Sequence, residues 1–339
     1  MSVSAKLRNS RHAARSYIRL ALAAMVVTFM MITIGAITRV TESGYGCGPY
    51  WPSCNGHIIP EFIDSTVVIE YAHRIFALVV GVFSISLGVN AWRNYRHQPR
   101  LFYPAIAGVI LFFLQSAIGA LTVVIYTHSY HWVSVMIHLG NSMFLLAAYV
   151  VAWVNARALL LEHPAQPQAR MYLPPGQLLT ASTLTFLVAM VGAAVAGQDA
   201  ARACIGWPLC GGEILPVEQG PLQMVNMLHR LVVGLLGILL ILMIIQTRQG
   251  VSKAMRNAVW LAFGLYLAQA TVGAFMVLVD IEQLNWLVTA KALHVLFAAA
   301  TWAAMISAST IAWLQRIPNL EKIQAQAQAV AVSSETTSS

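Results

Sequence analysis

The chain has 339 residues, of which 58% are hydrophobic and 9% charged, and its mean hydropathy is +0.69. Such a composition excludes an ordinary water-soluble globule and marks an integral membrane protein. The formal net charge of +8 does not signal a nucleic-acid partner, because the basic residues sort by loop and so report topology.

Residues 1–19 are rich in Arg, contain Ser and lack acids, which is superficially like an organellar transit peptide. The first apolar run follows at once, so the segment reads better as a cytoplasmic flank. Runs of about 20 apolar residues suit helices that cross the hydrocarbon core. They predict eight spans, at 20–38, 66–90, 102–125, 132–155, 177–197, 222–246, 258–279 and 288–313. Between the fourth and fifth, residues 156–176 carry Pro164, Pro167, Pro174 and Pro175 and predict a cytoplasmic linker rather than continuous helix. The expected fold is an all-α membrane protein with an N-terminal four-helix bundle at 20–155 and a C-terminal one at 177–313. A cytoplasmic tail at 314–339, rich in Gln, Ala, Ser and Thr, is expected to be disordered.

Fifteen of the twenty Lys and Arg residues fall on the N-terminus, the even-numbered loops and the C-terminus. The positive-inside bias then puts both termini in the cytoplasm, of a bacterial plasma membrane in this reading. The odd-numbered loops hold Glu42, Glu61, Asp64, Asp199, Glu213, Glu218, Asp280 and Glu282.

Several unlike features recur at an offset of 156 residues: Trp51-Pro52 with Cys54 returns as Trp207-Pro208 with Cys210, His73-Arg74 as His229-Arg230, Gly81 as Gly237, and His138 as His294. Gln115 to Gly119 also resembles Gln269 to Gly273. A shared offset across loops and helices predicts an internal repeat. With four spans per unit the repeat is parallel, and its pseudo-twofold axis lies along the membrane normal.

The four cysteines sit on the outer side, Cys47 and Cys54 in the first loop and Cys204 and Cys210 in its counterpart. Close pairs in an oxidising compartment predict disulfides within each loop, each stabilising by roughly 2–3 kcal/mol in the chain-entropy model. Redox exchange with an external partner is the alternative role.

His73, His138, His229 and His294 each lie about seven residues, roughly 10 Å, inside the outer end of an even-numbered span. Ionisable groups at such depth are costly and mark function by default. One such histidine would be read as an interhelical hydrogen bond; four at one level, two per bundle, point to metal or heme ligation, with a proton relay as the competitor. No Cys, Asp or second His shares their helical faces, which disfavours zinc or copper and suits a porphyrin held between facing imidazoles. The halves differ near these residues. Glu70 stands one turn before His73 where Asn226 precedes His229, and Lys291 precedes His294 where Val135 precedes His138. Glu70 shares a face with His73 and could act as a general base or stabilise positive charge; an ion pair with Arg74 is the bland alternative. Arg74, Arg230 and Lys291 are candidate partners for heme propionates.

With eight spans, Glu70-Tyr71-Ala72-His73-Arg74, His138-Leu139-Gly140-Asn141, Leu228-His229-Arg230, His294 and the two cysteine pairs, the chain resembles the heme A synthase family from about residue 20 to 313. These are membrane enzymes that convert heme O to heme A for terminal oxidases. The resemblance implies that His229 and His294 are axial ligands of a resident heme b and that His73 and His138 address the substrate heme O. It implies Glu70 as the catalytic glutamate and oxidation of the heme O C8 methyl to a formyl group, with electrons leaving through heme b. The implied partners are heme O, supplied by a heme O synthase, an unidentified electron acceptor and the lipid bilayer; nucleic acid is not among them, and an oligomer is left open. The competing reading is a di-heme electron-transfer cytochrome with two bis-histidine hemes, and a parallel-repeat transporter stands third. An electron wire has no evident need for Glu70 in one half only.

Overall fold

The computed structural model of the protein describes residues 3–124, 131–160, 173–248, 250–279 and 286–315, with side chains from residue 12 onward except at 175. Pro164, Pro167, Asp280, Glu282 and the expected tail from residue 316 lie outside the described residues. Among the described residues there are eight helices long and apolar enough to cross a membrane, and no strands. They are α1 (Val3–Val40), α2 (Ser65–Tyr95), α3 (Pro99–Val124), α4 (His131–Leu160), α5 (Pro175–Gly197), α6 (Pro221–Gln246), α7 (Lys253–Leu278) and α8 (Leu287–Gln315). Helices answer the membrane's demand that each backbone polar group find its partner within the segment.

Every expected span is present, each helix runs beyond its apolar stretch at one end or both, and α1 does so by far the most. α1 runs for 38 residues, about 57 Å at 1.5 Å per residue, so its first turns extend well beyond a 30 Å hydrocarbon core. The basic flank is therefore helical from Val3. Arg15 and Arg19 interrupt the apolar run but are exposed, whereas Tyr17, Ala21 and Ala24 are buried. Tyr17 donates to the Leu101 carbonyl at 2.6 Å and so ties this end of α1 to α3.

Local chemistry sets the other ends. Asp64 caps α2 through the backbone N–H groups of Thr66 and Val67, and Ser252 caps α7 through Met255. Pro175 and Pro221 occupy the first positions of α5 and α6, where a missing N–H costs nothing.

α1, α2, α3 and α4 pack in a closed ring, each on the next and α4 back on α1, and α5 to α8 close a second ring in the same order. Contacts of α4 with α5, α1 with α8, and α4 with α8 join them. α4 and α8 are accordingly the most buried spans, while α3 and α7 face outward. Small residues permit the close approaches expected between membrane helices: Gly81 lies under Phe112, Gly108 under Tyr149, and Gly237 under Tyr266. Where the rings meet, Phe186 of α5 packs between Phe144 and Trp302, and the Trp302 indole donates to the Met143 carbonyl at 2.8 Å.

Candidate functional site

Two short loops fold alike at one end of the helices. Each opens on a 3-10 turn, Ser43–Tyr45 or Ala200–Arg202, entered through a residue with positive φ, Glu42 at 54° or Asp199 at 55°. Both contain a cis peptide bond, Trp51-Pro52 and Trp207-Pro208. Cys47 pairs with Cys54 and Cys204 with Cys210, each within its own loop. Gly46 lies so tightly against the Thr66 backbone that no Cβ fits, which seats the first loop on the opening turn of α2.

Beneath these loops opens a cavity of about 2210 Å³, lined by both halves. Glu70, His73, Arg74, His138, His229, Arg230, Lys291 and His294 all line it. The structure thus brings together every site residue expected from the sequence, with the cysteines closing the loops above. One helical surface cannot do this; the cavity draws on helices from both rings.

The four histidines share one setting. Each ring, carried on an even-numbered helix, lies edge-on against a glycine of the preceding odd-numbered helix. Those glycines are Gly35 for His73, Gly119 for His138, Gly192 for His229 and Gly273 for His294, and a Cβ on any of them would meet the ring Cε1 at 3.0–3.3 Å. Glycine permits that close approach, and any larger residue would press on the ring. Gly119 and Gly273 ended the recurring segments noted in the sequence, but nothing there paired them with histidines; Gly35 and Gly192 carried no signal.

In the second half His229 and His294 face each other with ring centroids 6.4 Å apart and planes at 65°. That gap admits one metal atom bound on both sides at about 2 Å. The Nδ1 of His294 lies 3.0 Å from the Gln269 carbonyl oxygen, a contact that holds the ring and leaves Nε2 for a ligand role. In the first half His73 and His138 line the same cavity. The Nδ1 atoms of His73 and His138 are buried without a hydrogen bond among the described residues. Among the described residues no group of three or more His, Cys, Asp or Glu gathers to make a small-metal site. Paired imidazoles over a broad, mostly apolar cavity therefore fit a porphyrin iron better than zinc or copper.

Electrostatics separates the halves. Glu70 is buried, accepts from the Cys47 N–H at 2.7 Å through Oε2, and takes the Arg74 Nε at 3.1 Å and Nη2 through Oε1. Arg74 Nη1 also donates to the carbonyls of Tyr50 and Ser53 at 2.7 and 2.6 Å. The ion pair and a place on the cavity wall thus coexist, and a single carboxylate joins the disulfide loop to the site. In the second half the Asn226 amide instead donates to the carbonyls of Ala200 and Ala201 at 2.6 and 3.1 Å. Arg230 Nη1 donates to Gly206, Pro208 and Leu209 at 2.8–3.2 Å, while its Nη2 is buried with no partner among the described residues. An unmet buried donor commonly costs about 1–3 kcal/mol, so a ligand acceptor belongs beside it. Gln115 braces α4 by donating to the His138 carbonyl and accepting from Asn141.

A family model described as COX15-CtaA, cytochrome oxidase assembly protein, matches residues 18–223, more than half of the chain. Curated relatives called heme A synthase align along most of it. The protein of Alkalihalophilus pseudofirmus is 31% identical over 275 residues, covering 80% of this chain and 91% of its own. That of Halalkalibacterium halodurans is 32% identical over 289 residues, covering 83% and 93%. That of Symbiobacterium thermophilum is 31% identical over 266 residues, covering 75% and 83%.

Proposed function

The chain belongs to the COX15-CtaA family of cytochrome oxidase assembly proteins, and from that premise we propose that it is a heme A synthase whose two halves divide the work. The first four-helix unit takes heme O as substrate between His73 and His138. The second holds a resident heme b on His229 and His294. The units are related by a parallel repeat with a pseudo-twofold axis along the membrane normal, and both termini face the cytoplasm, as the basic loops require. One observation carries the reading: a single cavity contains two histidine pairs in matching glycine cradles, with the carboxylate of Glu70 one turn before His73 where the amide of Asn226 precedes His229.

The residues act as follows. His73 and His138 position the porphyrin of heme O so that a methyl group lies beside the carboxylate. Converting that C8 methyl to a formyl group with water as the oxygen source (CH3 + H2O → CHO + 4 H+ + 4 e−) releases four electrons and four protons, two of the protons coming from the water. Positive charge develops at the carbon as electrons leave, and Glu70 stabilises it without reorganising, because Arg74 and the Cys47 N–H fix both of its oxygens. The same carboxylate can take a proton from the attacking water. A bound heme b would supply one-electron acceptance, passing electrons on to an acceptor outside the chain.

Two measurements test this. Pigments extracted from the purified protein should be heme b together with heme O or heme A; two equivalents of heme b alone would favour the di-heme cytochrome. Glu70→Gln should keep heme b and heme O bound yet lower heme A formation by about 10²- to 10³-fold, the usual cost of losing a preorganised charge. Parental heme A levels in that variant would remove Glu70 from the chemistry.

A further inference from the structure

The charged residues lining the cavity divide unequally between the halves. On the first side Arg39 and Arg74 are matched by Glu42 and Glu70. On the second, Arg202, Arg230 and Lys291 share the described lining with one acid, Asp199. Among the described lining residues the first side therefore carries no net charge and the second an excess of two positive charges. The cause lies in two substitutions between otherwise matching helices: Asn226 removes the acid four residues before Arg230, and Lys291 adds a base one turn before His294.

The hydrogen bonds match this division. Arg74 has all three guanidinium nitrogens engaged by protein groups, two of them by Glu70. Arg230 spends Nη1 on carbonyls and keeps Nη2 buried and unpartnered among the described residues. Lys291 lines the cavity, is part-buried, and has neither a hydrogen bond nor an ion pair among the described residues. A porphyrin of the heme type carries two propionate carboxylates, and each can take a charge-assisted hydrogen bond from one of these groups.

We propose that this imbalance decides which site keeps its porphyrin and which exchanges it: Arg230 and Lys291 clamp the two carboxylates of a resident porphyrin in the second half, while Glu70 occupies Arg74 and so keeps the first half from trapping its ligand. Glu70 then has a second duty beside the reaction, that of making the first site a place of passage. An enzyme whose product must leave needs such a site, and a resident cofactor needs the opposite one. The inference rests on the division of labour proposed above.

Its test reads heme transfer rather than turnover. The purified full-length protein, loaded with iron protoporphyrin IX, is mixed with excess apomyoglobin as heme acceptor, and the loss of its own b-type absorption is followed. The parent should release one porphyrin fast and hold one. Lys291→Met breaks no hydrogen bond or ion pair among the described residues and should speed release of the held one about tenfold, the usual size for losing a charged hydrogen bond. Arg230→Leu should act in the same direction. Glu70→Gln should slow release from the first site by freeing Arg74. The dimethyl ester of the same porphyrin, lacking both charges, should bind the second site at least tenfold more weakly than the free acid and the first site about equally. Unchanged release from Lys291→Met and Arg230→Leu, with equal binding of acid and ester, would overturn the clamp while leaving a resident heme in place. If the parent itself held no porphyrin, or held two equally, the underlying division of labour would fail instead.

Discussion

The helices α2 and α6 offer the sharpest comparison in the molecule. Each places a His-Arg pair beneath a disulfide loop, and each loop is fixed by hydrogen bonds from the arginine to its carbonyls. The residue four before the arginine differs. Glu70 accepts from Cys47 and Arg74, whereas Asn226 donates to Ala200 and Ala201. An acceptor has become a donor, and the loop has supplied carbonyls where it previously supplied an N–H. The backbone framework thus survives while the local charge changes, which is how one scaffold can house a reacting centre and an electron-handling one.

The largest effect that would break or sharpen this comparison comes from the histidines themselves. His229→Leu or His294→Leu should abolish the resident b-type heme, seen as complete loss of its absorption in protein that still accumulates in membranes. His73→Leu or His138→Leu should leave that heme in place and remove heme A formation. Equal heme loss from all four variants would make the halves equivalent and favour two structural hemes.

How far the sequence revealed this site depends on the kind of contact. Ionisable residues at membrane depth stand out against apolar surroundings, so the histidines, Glu70 and Arg74 were legible, as were the cysteine pairs by their spacing. The i, i+4 relation even exposed the Glu70–Arg74 pair, now present as an ion pair. The Cys47 N–H was not legible, because backbone donors look alike in every residue. Nor were the cradles, since Gly35 is one small residue among many in an apolar helix and only the packing of α1 on α2 brings it to His73. α1 was read short for a related reason: Arg15 and Arg19 break the apolar run, while the face bearing Tyr17 still packs against α3.

A smaller effect should follow from filling the cradles. Gly192→Ala and Gly273→Ala would put a Cβ about 3.0 and 3.1 Å from the rings of His229 and His294, against 3.3 Å for Gly35→Ala and His73. Contacts that short force a ring to shift, and overpacking of this kind costs about 1–3 kcal/mol. The two alanines in the second half should shift the absorption and redox midpoint of the resident heme and weaken its retention without abolishing binding. Gly35→Ala should leave that spectrum untouched. An altered resident-heme spectrum from Gly35→Ala alone would reverse the assignment of the halves.

The smallest predicted effect concerns how α2 and α6 begin. Asp64 Oδ1 accepts from the Thr66 N–H at 2.8 Å, the Val67 N–H at 3.1 Å and the Thr66 hydroxyl at 2.6 Å, whereas α6 starts from Gly220 and Pro221 without a side-chain cap. The hydrogen bond from the Thr66 side chain, joined by that from the Val67 backbone, holds the Asp64 carboxyl below its ordinary value. A depressed folded value means that the cap's contribution is present above the unfolded pKa of about 3.9 and disappears as pH falls through the folded one. Asp64→Ala should therefore raise amide exchange in the first turn of α2 roughly tenfold at neutral pH, with the first turn of α6 unchanged. Acidification below about pH 4 should bring the parent's α2 toward the variant's behaviour, after correction for intrinsic exchange rates, and again spare α6. Because Gly46 seats the first disulfide loop on this same turn, loosening it should also blunt the hold of the Cys47 N–H on Glu70. Heme A formation in Asp64→Ala should then fall a few-fold, far less than in Glu70→Gln, while heme b content stays constant. A variant with faster exchange in α2 but parental heme A formation would show that Glu70 is positioned by Arg74 alone.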